Sequence, residues 1–329
     1  MCAECLENLD LLQQGGLKTL LIYILKRFLW MILTVWIIIT LTFFLMHAIP
    51  GDPLDTGDAG SSDAASANLA AYYNLDQPLP VQYVTYLKNV ATFDFGPSMT
   101  SRSRDVNDMI ESGFPASLQL GIASLIFSVL SGVVLGVFAA LRHNKMIDYM
   151  TMVFAVIGIS IPNFIQSMLF INYIAVHVDF FPIARWGTYR HVILPALALA
   201  SGPMAIIARL TRSNMLEVLT QDYIRTAKAK GLTSVQIVVK HALRNALLPV
   251  VTIMGALTAS VLTGSFVIER IFSIPGIGQY FVNSISNRDY PMIMATTVIY
   301  STILVVMMFI VDILYGFIDP RIKLHSKED

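Results

Sequence analysis

Charged side chains are scarce in this sequence, and those able to act on another surface gather in one stretch. Residues 216–249 read LEVLTQDYIRTAKAKGLTSVQIVVKHALRNALLP. Asp222, Arg225 and Lys228 offer ion pairing and hydrogen bonding there. They point away from Leu216, Leu219, Tyr223 and Ala227, which recur at helical spacing as an apolar stripe. Gly231 stands where a helix would stop, because glycine takes the left-handed conformation without a Cβ clash. Thr233 and Gln236 then make a Ser/Thr-x-x-Glu/Gln capping pattern that starts a second helix. The spacing predicts two amphipathic helices hinged at Gly231 and lying outside the bilayer. A plain solvated loop between two apolar segments fits the same pattern. The chemistry on offer is docking.

Bond-making chemistry is missing. The sequence has no G-x-x-x-x-G-K-S/T, so it has no phosphate-cradling loop and ATP would need a separate subunit. Asp148, Glu269 and Asp312 sit near the ends of apolar runs. An ion-coupled carrier needs ionisable groups within the membrane, which leaves that reading a distant alternative. An intramembrane protease fits less well still. There is no G-x-S-x-G, and His47, His177 and His191 lie at span ends. Cys2 and Cys5 build neither a disulfide framework nor a four-ligand zinc site. They are expected in a reduced, unstructured tail, and no metal site is expected. The formal net charge is +0, and the basic stretch lacks interleaved aromatics, so no nucleic-acid partner is expected.

These groups must be held by membrane spans. With 55% apolar and 13% charged residues over 329 positions, the chain is no ordinary soluble enzyme. Lys26 and Arg27 precede an apolar run over residues 28–49. At ~1.5 Å per residue it crosses a ~30 Å hydrocarbon core. It is too long for a signal peptide's apolar segment, and no cleavage site follows, so it reads as a retained span. Residues 56–71 read as a flexible loop, and Val81, Val84, Leu87 and Val90 as a short surface helix. A second span covers residues 115–141, with Ser128, Gly132, Gly136 and Ala140 as a small-residue stripe. The stripe suits close helix packing; a pore lining is the alternative. A third span, 147–176, is expected to kink at Pro162. The groups freed there, with Asn163 and Gln166, must find partners in the bundle or in a wet path. Further spans are expected at 191–210, 247–268 and 292–317. The fifth carries Ala256, Ser260 and Gly264 as a second small stripe. With the amino terminus inside, fifteen of the 22 Lys and Arg fall on the inner side, which favours six spans with both ends cytoplasmic.

The stretch RTAKAKG at 225–231 resembles the EAA loop of type I ABC importer permeases. Ala227 and Gly231 match, and Leu248 with Pro249 closes the motif. Arg225 stands where the general motif has Glu, and the Gly-to-Pro gap is longer than in sugar permeases. Both features are usual in the peptide/nickel branch. Its B-type subunits carry DYIRTAKAKG followed by HALRNALLPV, here at 222–231 and 241–250. Residues 75–98 and 269–291 resemble external segments of the same branch, except that Phe93 replaces a usual Gly. The resemblance runs over nearly the whole chain from about Tyr23.

The resemblance implies an all-α membrane protein with six transmembrane helices, the type I ABC importer permease fold and both termini cytoplasmic, in a bacterial plasma membrane. It divides the chain into a tail (1–27), a first span (28–49), an external loop (50–114), a five-helix core (115–318) and a tail (319–329). A coupling loop at 211–246 would dock on an ATPase through Asp222, Tyr223, Arg225, Ala227, Lys228, Ala229 and Gly231. Asn163, Gln166, Ser260 and Ser265 are candidates for the translocation path. Pro275, Gly276 and Gly278 would form an external gate loop. No catalytic residue and no bound cofactor are implied, with ATP and magnesium on partner subunits. The implied partners are a C-type permease, two ATPase subunits and an extracytoplasmic peptide-binding protein. The implied cargo is an oligopeptide or dipeptide. Nickel chelates, glutathione and antimicrobial peptides are the alternatives within the family.

Overall fold

In hydrocarbon every backbone N–H and C=O must be satisfied within its own segment, which makes apolar runs of this length helical. The computed structural model describes residues 3–48, 63–101 and 104–318, and each regular element there is a helix. Five helices are long and apolar enough to cross a membrane, or six if one bent pair counts as a span.

Helix α1 (Ala3–Ala48) carries the first apolar window, Ile24–Ala48. The helix reaches back to Ala3, so the segment around Cys5 is helical and not unstructured. No proline interrupts it, and Gly15 and Gly16 each cost only about 1 kcal/mol in a helix. Cys2 and the tail from residue 319 lie outside the described residues. So do residues 56–62 of the expected loop at 56–71; the larger part, 63–71, belongs to helix α2 (Asp63–Tyr72) and is not a loop, because alanine favours helix. Helix α3 (Leu79–Ala91) matches the expected surface helix. The turn after it puts Phe93 at φ 54°, the left-handed conformation that glycine would take without cost. Asn107 holds that turn: its side chain donates to the Phe93 carbonyl and accepts from the Phe95 amide at 3.0 Å.

Helix α4 (Val106–Leu141) begins nine residues before the expected start and carries Pro115 inside it. One proline removes one hydrogen bond, which a 36-residue helix survives. Helices α5 (Met146–Ser160) and α6 (Asn163–Phe170, prolonged by a π-helical turn, Ile171–Ala175) replace the expected kinked third span. They meet at 106°, a reversal and not a kink. Helix α7 (Tyr189–Leu219) follows, longer than expected by a turn and more at its far end. Then come the short helices α8 (Asp222–Ala229), α9 (Ser234–Gln236) and α10 (Leu243–Ala246), with a π-helical turn, Ile237–Ala242, between the last two. Helix α11 (Leu248–Ile271) and helix α13 (Tyr290–Ile318) supply the remaining spans. Between them, residues 277–287 form helix α12 (Ile277–Asn287) where only a loop was expected.

The largest contact in the chain is α4 against α7. Ser128, Gly132, Gly136 and Ala140 are all buried on it. A Cβ at Gly132 would lie 2.8 Å from the Met204 carbonyl oxygen, and one at Gly136 would lie 2.6 Å from Thr211 Cβ. The stripe therefore packs helix on helix, and the pore-lining alternative falls. The second stripe behaves differently. Ala256 and Ser260 on α11 face outward. Helices α8 to α10 lie at one end of the bundle, beside Ala140 and Met215. Helices α3 and α12 lie at the other, beside Val106, Met109 and Met292.

Because no space exists at Gly136, Gly136→Leu should cost more than the 1–3 kcal/mol typical of overpacking. Gly202, on α7, has nothing within 4 Å of an added Cβ. Thermal scans of detergent-extracted protein should show Gly202→Ala unchanged or slightly stabilised, by up to about 1 kcal/mol, and Gly136→Leu unfolded or strongly destabilised.

Candidate functional site

The chain breaks at Gly231, as the spacing predicts, between α8 and the helical run from α9 to α10; the end of α7 and a second break at residues 220–221 precede α8. Gly231 has φ 78° and nothing within 4 Å of an added Cβ, so conformation alone selects glycine there. Thr233 and Gln236 form the expected reciprocal cap. The Gln236 amide donates to Thr233 Oγ1 at 3.3 Å, and the Thr233 amide donates to Gln236 Oε1 at 3.0 Å.

The apolar stripe differs from the expected one. Helix α7 ends at Leu219 and α8 begins at Asp222, so the spacing from Leu219 to Tyr223 crosses a chain break and not a helical turn. Ile224 and Ala227, three apart on α8, form the buried face at 0% and 4% exposure. They pack against Ala140, Met215, Ile237, Ala242 and Ala246 of their own chain. Tyr223 is exposed, and its hydroxyl accepts from Asn245 at 2.9 Å, tying α8 to α10. Ala227 is thus part of the seat and is unavailable to a partner. What α8 presents outward is Asp222, Arg225, Thr226, Lys228 and Ala229. The Asp222 and Arg225 side chains are 94% and 76% exposed and touch at 3.3 Å.

A part-buried ion pair supports this end of the bundle, and residue spacing gave no sign of it. Arg212 of α7 reaches Asp148 of α5, with Nη2 2.7 Å from Oδ2. Asp148 also accepts from the Asn144 amide at 3.0 Å. The two partners stand 64 residues apart in sequence, so no helical period relates them.

At the opposite end, Pro275, Gly276 and Gly278 form the entrance to α12. Glu269, fully buried at the end of α11, explains both glycines. Its Oε2 accepts from the Gly278 amide at 2.8 Å, and Ser117 Oγ of α4 accepts from the Ile277 amide at 2.9 Å. Added Cβ atoms at Gly276 or Gly278 would run into the Glu269 carboxylate. An acid and a hydroxyl thus satisfy first-turn amides of α12 that would otherwise lack partners. Asp289 completes the anchorage: it accepts from the Ser98 hydroxyl and from the Met99 amide at 3.2 Å.

The four path candidates separate. Gln166 is buried, and its amide donates to the carbonyls of Ile161 at 2.7 Å and Gly158 at 3.3 Å. It satisfies groups freed where α5 breaks, a structural task. Ser265 is buried and donates to the Leu262 carbonyl at 2.8 Å. Asn163 is half-buried at the start of α6, and Ser260 faces outward. The structure does not bring the four into one lining.

Comparison with known proteins follows this geometry. Residues 132–324 match the family described as binding-protein-dependent transport system inner membrane component, and residues 20–121 match its N-terminal counterpart. The chain is similar to the dipeptide transport system permease protein DppB of Bacillus subtilis (strain 168), 60% identical over 93% of this chain and 99% of that one. It is similar to the oligopeptide transport system permease protein OppB of Haemophilus influenzae, 42% identical over 92% and 99%. Its fold resembles a chain of the inward-facing MetNI methionine ABC transporter, with TM-score 0.51 and 21% identity, covering 64% of this chain and 96% of that one.

The contact between Glu269 and Gly276 generates a double-mutant test. Gly276→Ala should destabilise by about 1–3 kcal/mol through crowding. Glu269→Ala should cost a similar amount by leaving a buried amide unpaired. Since the new methyl needs the space the carboxylate leaves, the double variant should lose less than the sum in thermal unfolding.

Proposed function

Because the chain belongs to the family of binding-protein-dependent transport system inner membrane components, we propose that it forms one half of the path of an ATP-driven peptide importer. It is a multi-pass permease of a bacterial inner membrane, a transport subunit and not an enzyme. A dipeptide or oligopeptide cargo is supported by the names of the relatives that match it over nearly their whole length. The proposed assembly has a second, similar permease beside it, two ATPase subunits that bind ATP and magnesium, and a peptide-binding protein outside. Both termini and α8 lie in the cytoplasm on this reading, because the basic residues gather on that side.

The observation that carries the mechanism is the division of α8 into a seated face and an outward charged face. Ile224 and Ala227 fix the helix to the permease, so force applied to Asp222, Arg225 and Lys228 reaches α4 and α7 through packed contacts. Closing of the ATPases on ATP would shift α8, and the spans would rock between outward and inward access. No bond of the cargo is broken.

Gly231 tests this reading. A left-handed conformation costs an ordinary residue about 1–2 kcal/mol, less for Asn and more for a β-branched side chain. With the partners reconstituted in liposomes, labelled-dipeptide uptake should require ATP. Gly231→Asn should keep most of the uptake, and Gly231→Val should fall below about a tenth at normal insertion. Alone, the chain should neither hydrolyse ATP nor transport. Wild-type uptake by Gly231→Val, or ATP hydrolysis by the chain alone, would contradict the proposal.

A further inference from the structure

A cavity of about 520 Å³ opens at the end of the bundle opposite α8, within one subunit. It lies between the end of α1, the segment joining α2 to α3, α3 itself and the start of α13. Its size falls within the range of small-molecule sites. Five aromatic side chains line it: Phe43, Tyr73, Tyr86, Phe95 and Tyr290. Two exposed acids, Asp76 and Asp94, are part of its lining. Among the described residues no Lys or Arg lines it.

The wall is built before any ligand arrives. His47 has its ring nitrogens 2.8 Å from the Phe43 carbonyl oxygen and 3.0 Å from Gln82 Oε1; both partners are acceptors, so a neutral ring donates to only one of them. Gln82 in turn donates to the carbonyls of Gln77 at 2.8 Å and Leu75 at 3.2 Å. The Tyr73 hydroxyl donates to the Pro97 carbonyl at 2.6 Å. Burial pushes the phenols of Tyr73 and Tyr86 above their ordinary range, so both stay neutral. The acids offered to an occupant are Asp76 and Asp94, and Asp94 Oδ1 also accepts from the Gly96 amide at 3.2 Å and the Tyr72 hydroxyl at 3.4 Å.

We infer that this cavity is a holding subsite for a primary ammonium attached to an apolar group, and that its natural occupant is the amino end of a short peptide with an apolar first residue. Aromatic faces attract a cation and shelter the apolar group beside it. The two carboxylates neutralise the ammonium. Peptide as the source rests on the function proposed above; an aminophospholipid headgroup offers the same ammonium.

Equilibrium binding to the assembled transporter in nanodiscs, without the binding protein, tests the inference. The probes are labelled phenylalanyl-alanine, its N-acetyl derivative and phenethylamine. The dipeptide and the amine should compete, and acetylation should weaken binding at least tenfold. Asp76→Asn with Asp94→Asn, both at exposed positions, should weaken binding at least tenfold while co-purification of the partners stays normal. Equal binding by the acetylated peptide or by the double variant would overturn the inference. So would absence of amine binding in a transporter whose ATP-driven uptake is intact, an outcome that leaves the proposed function standing. In phosphatidylethanolamine nanodiscs, loss of dipeptide binding relative to phosphatidylcholine nanodiscs would identify the lipid as occupant and overturn the peptide assignment.

Discussion

The close approach of α4 and α7 is the constraint on which the rest depends. With glycine at 132 and 136, the backbone of α4 comes close to the Met204 and Ala208 carbonyls of α7 and to the side chains of Ile207 and Thr211. Without a hydrophobic driving force between helices in lipid, such close van der Waals contact is what holds a bundle together. Both ends of α4 then serve other elements. At one end Ala140 helps form the seat of α8. About 35 Å away along the same helix, at ~1.5 Å per residue, Ser117 binds the first turn of α12. A single packed helix therefore touches both the seat of α8 and the first turn of α12. This gives a physical route by which a push on α8 reaches the far side without any charged relay through the hydrocarbon.

The two polar anchors in this account are economical. Asp148 with Arg212 ties α5 to α7 near α8, and Glu269 with Ser117 ties α12 to α11 and α4. Asp148 accepts through both oxygens, whereas Glu269 accepts through Oε2 and leaves Oε1 buried without a partner. Glu269 also accounts for the glycines at 276 and 278 as the space its carboxylate needs, which composition alone could not reveal.

Much of this was legible in the sequence, for reasons that can be named. The spans follow from apolar length, the α4 stripe from four-residue spacing, and the Gly231 hinge and Thr233 cap from local backbone chemistry. Such features depend on neighbours in sequence. The reversal at Pro162 was legible as a defect but not in its angle, because 106° is set by packing against α7. The docking stripe was misread because one helix was assumed where residues 220–221 interrupt two. Ile224, the most deeply seated residue of α8, was missed for that reason. The pairings Asp148–Arg212 and Asp289–Ser98 span long stretches of chain, and no periodicity points to them. Helix α12 hid in a segment read only as a loop.

The central claim is that α8 is seated on its own chain by Ile224 and Ala227 and presents a charged face to the ATPase. Single cysteines placed along α8, in a background lacking Cys2 and Cys5, test it most directly by thiol labelling of the permease with and without its ATPases. The account predicts that Asp222→Cys, Arg225→Cys, Thr226→Cys and Ala229→Cys label in the permease alone and become protected when the ATPases bind. It predicts that Ile224→Cys and Ala227→Cys stay unlabelled in both states. Ready labelling of Ile224→Cys and Ala227→Cys in the folded permease, with protection by the ATPases, would contradict it, because those side chains would then belong to the docking face.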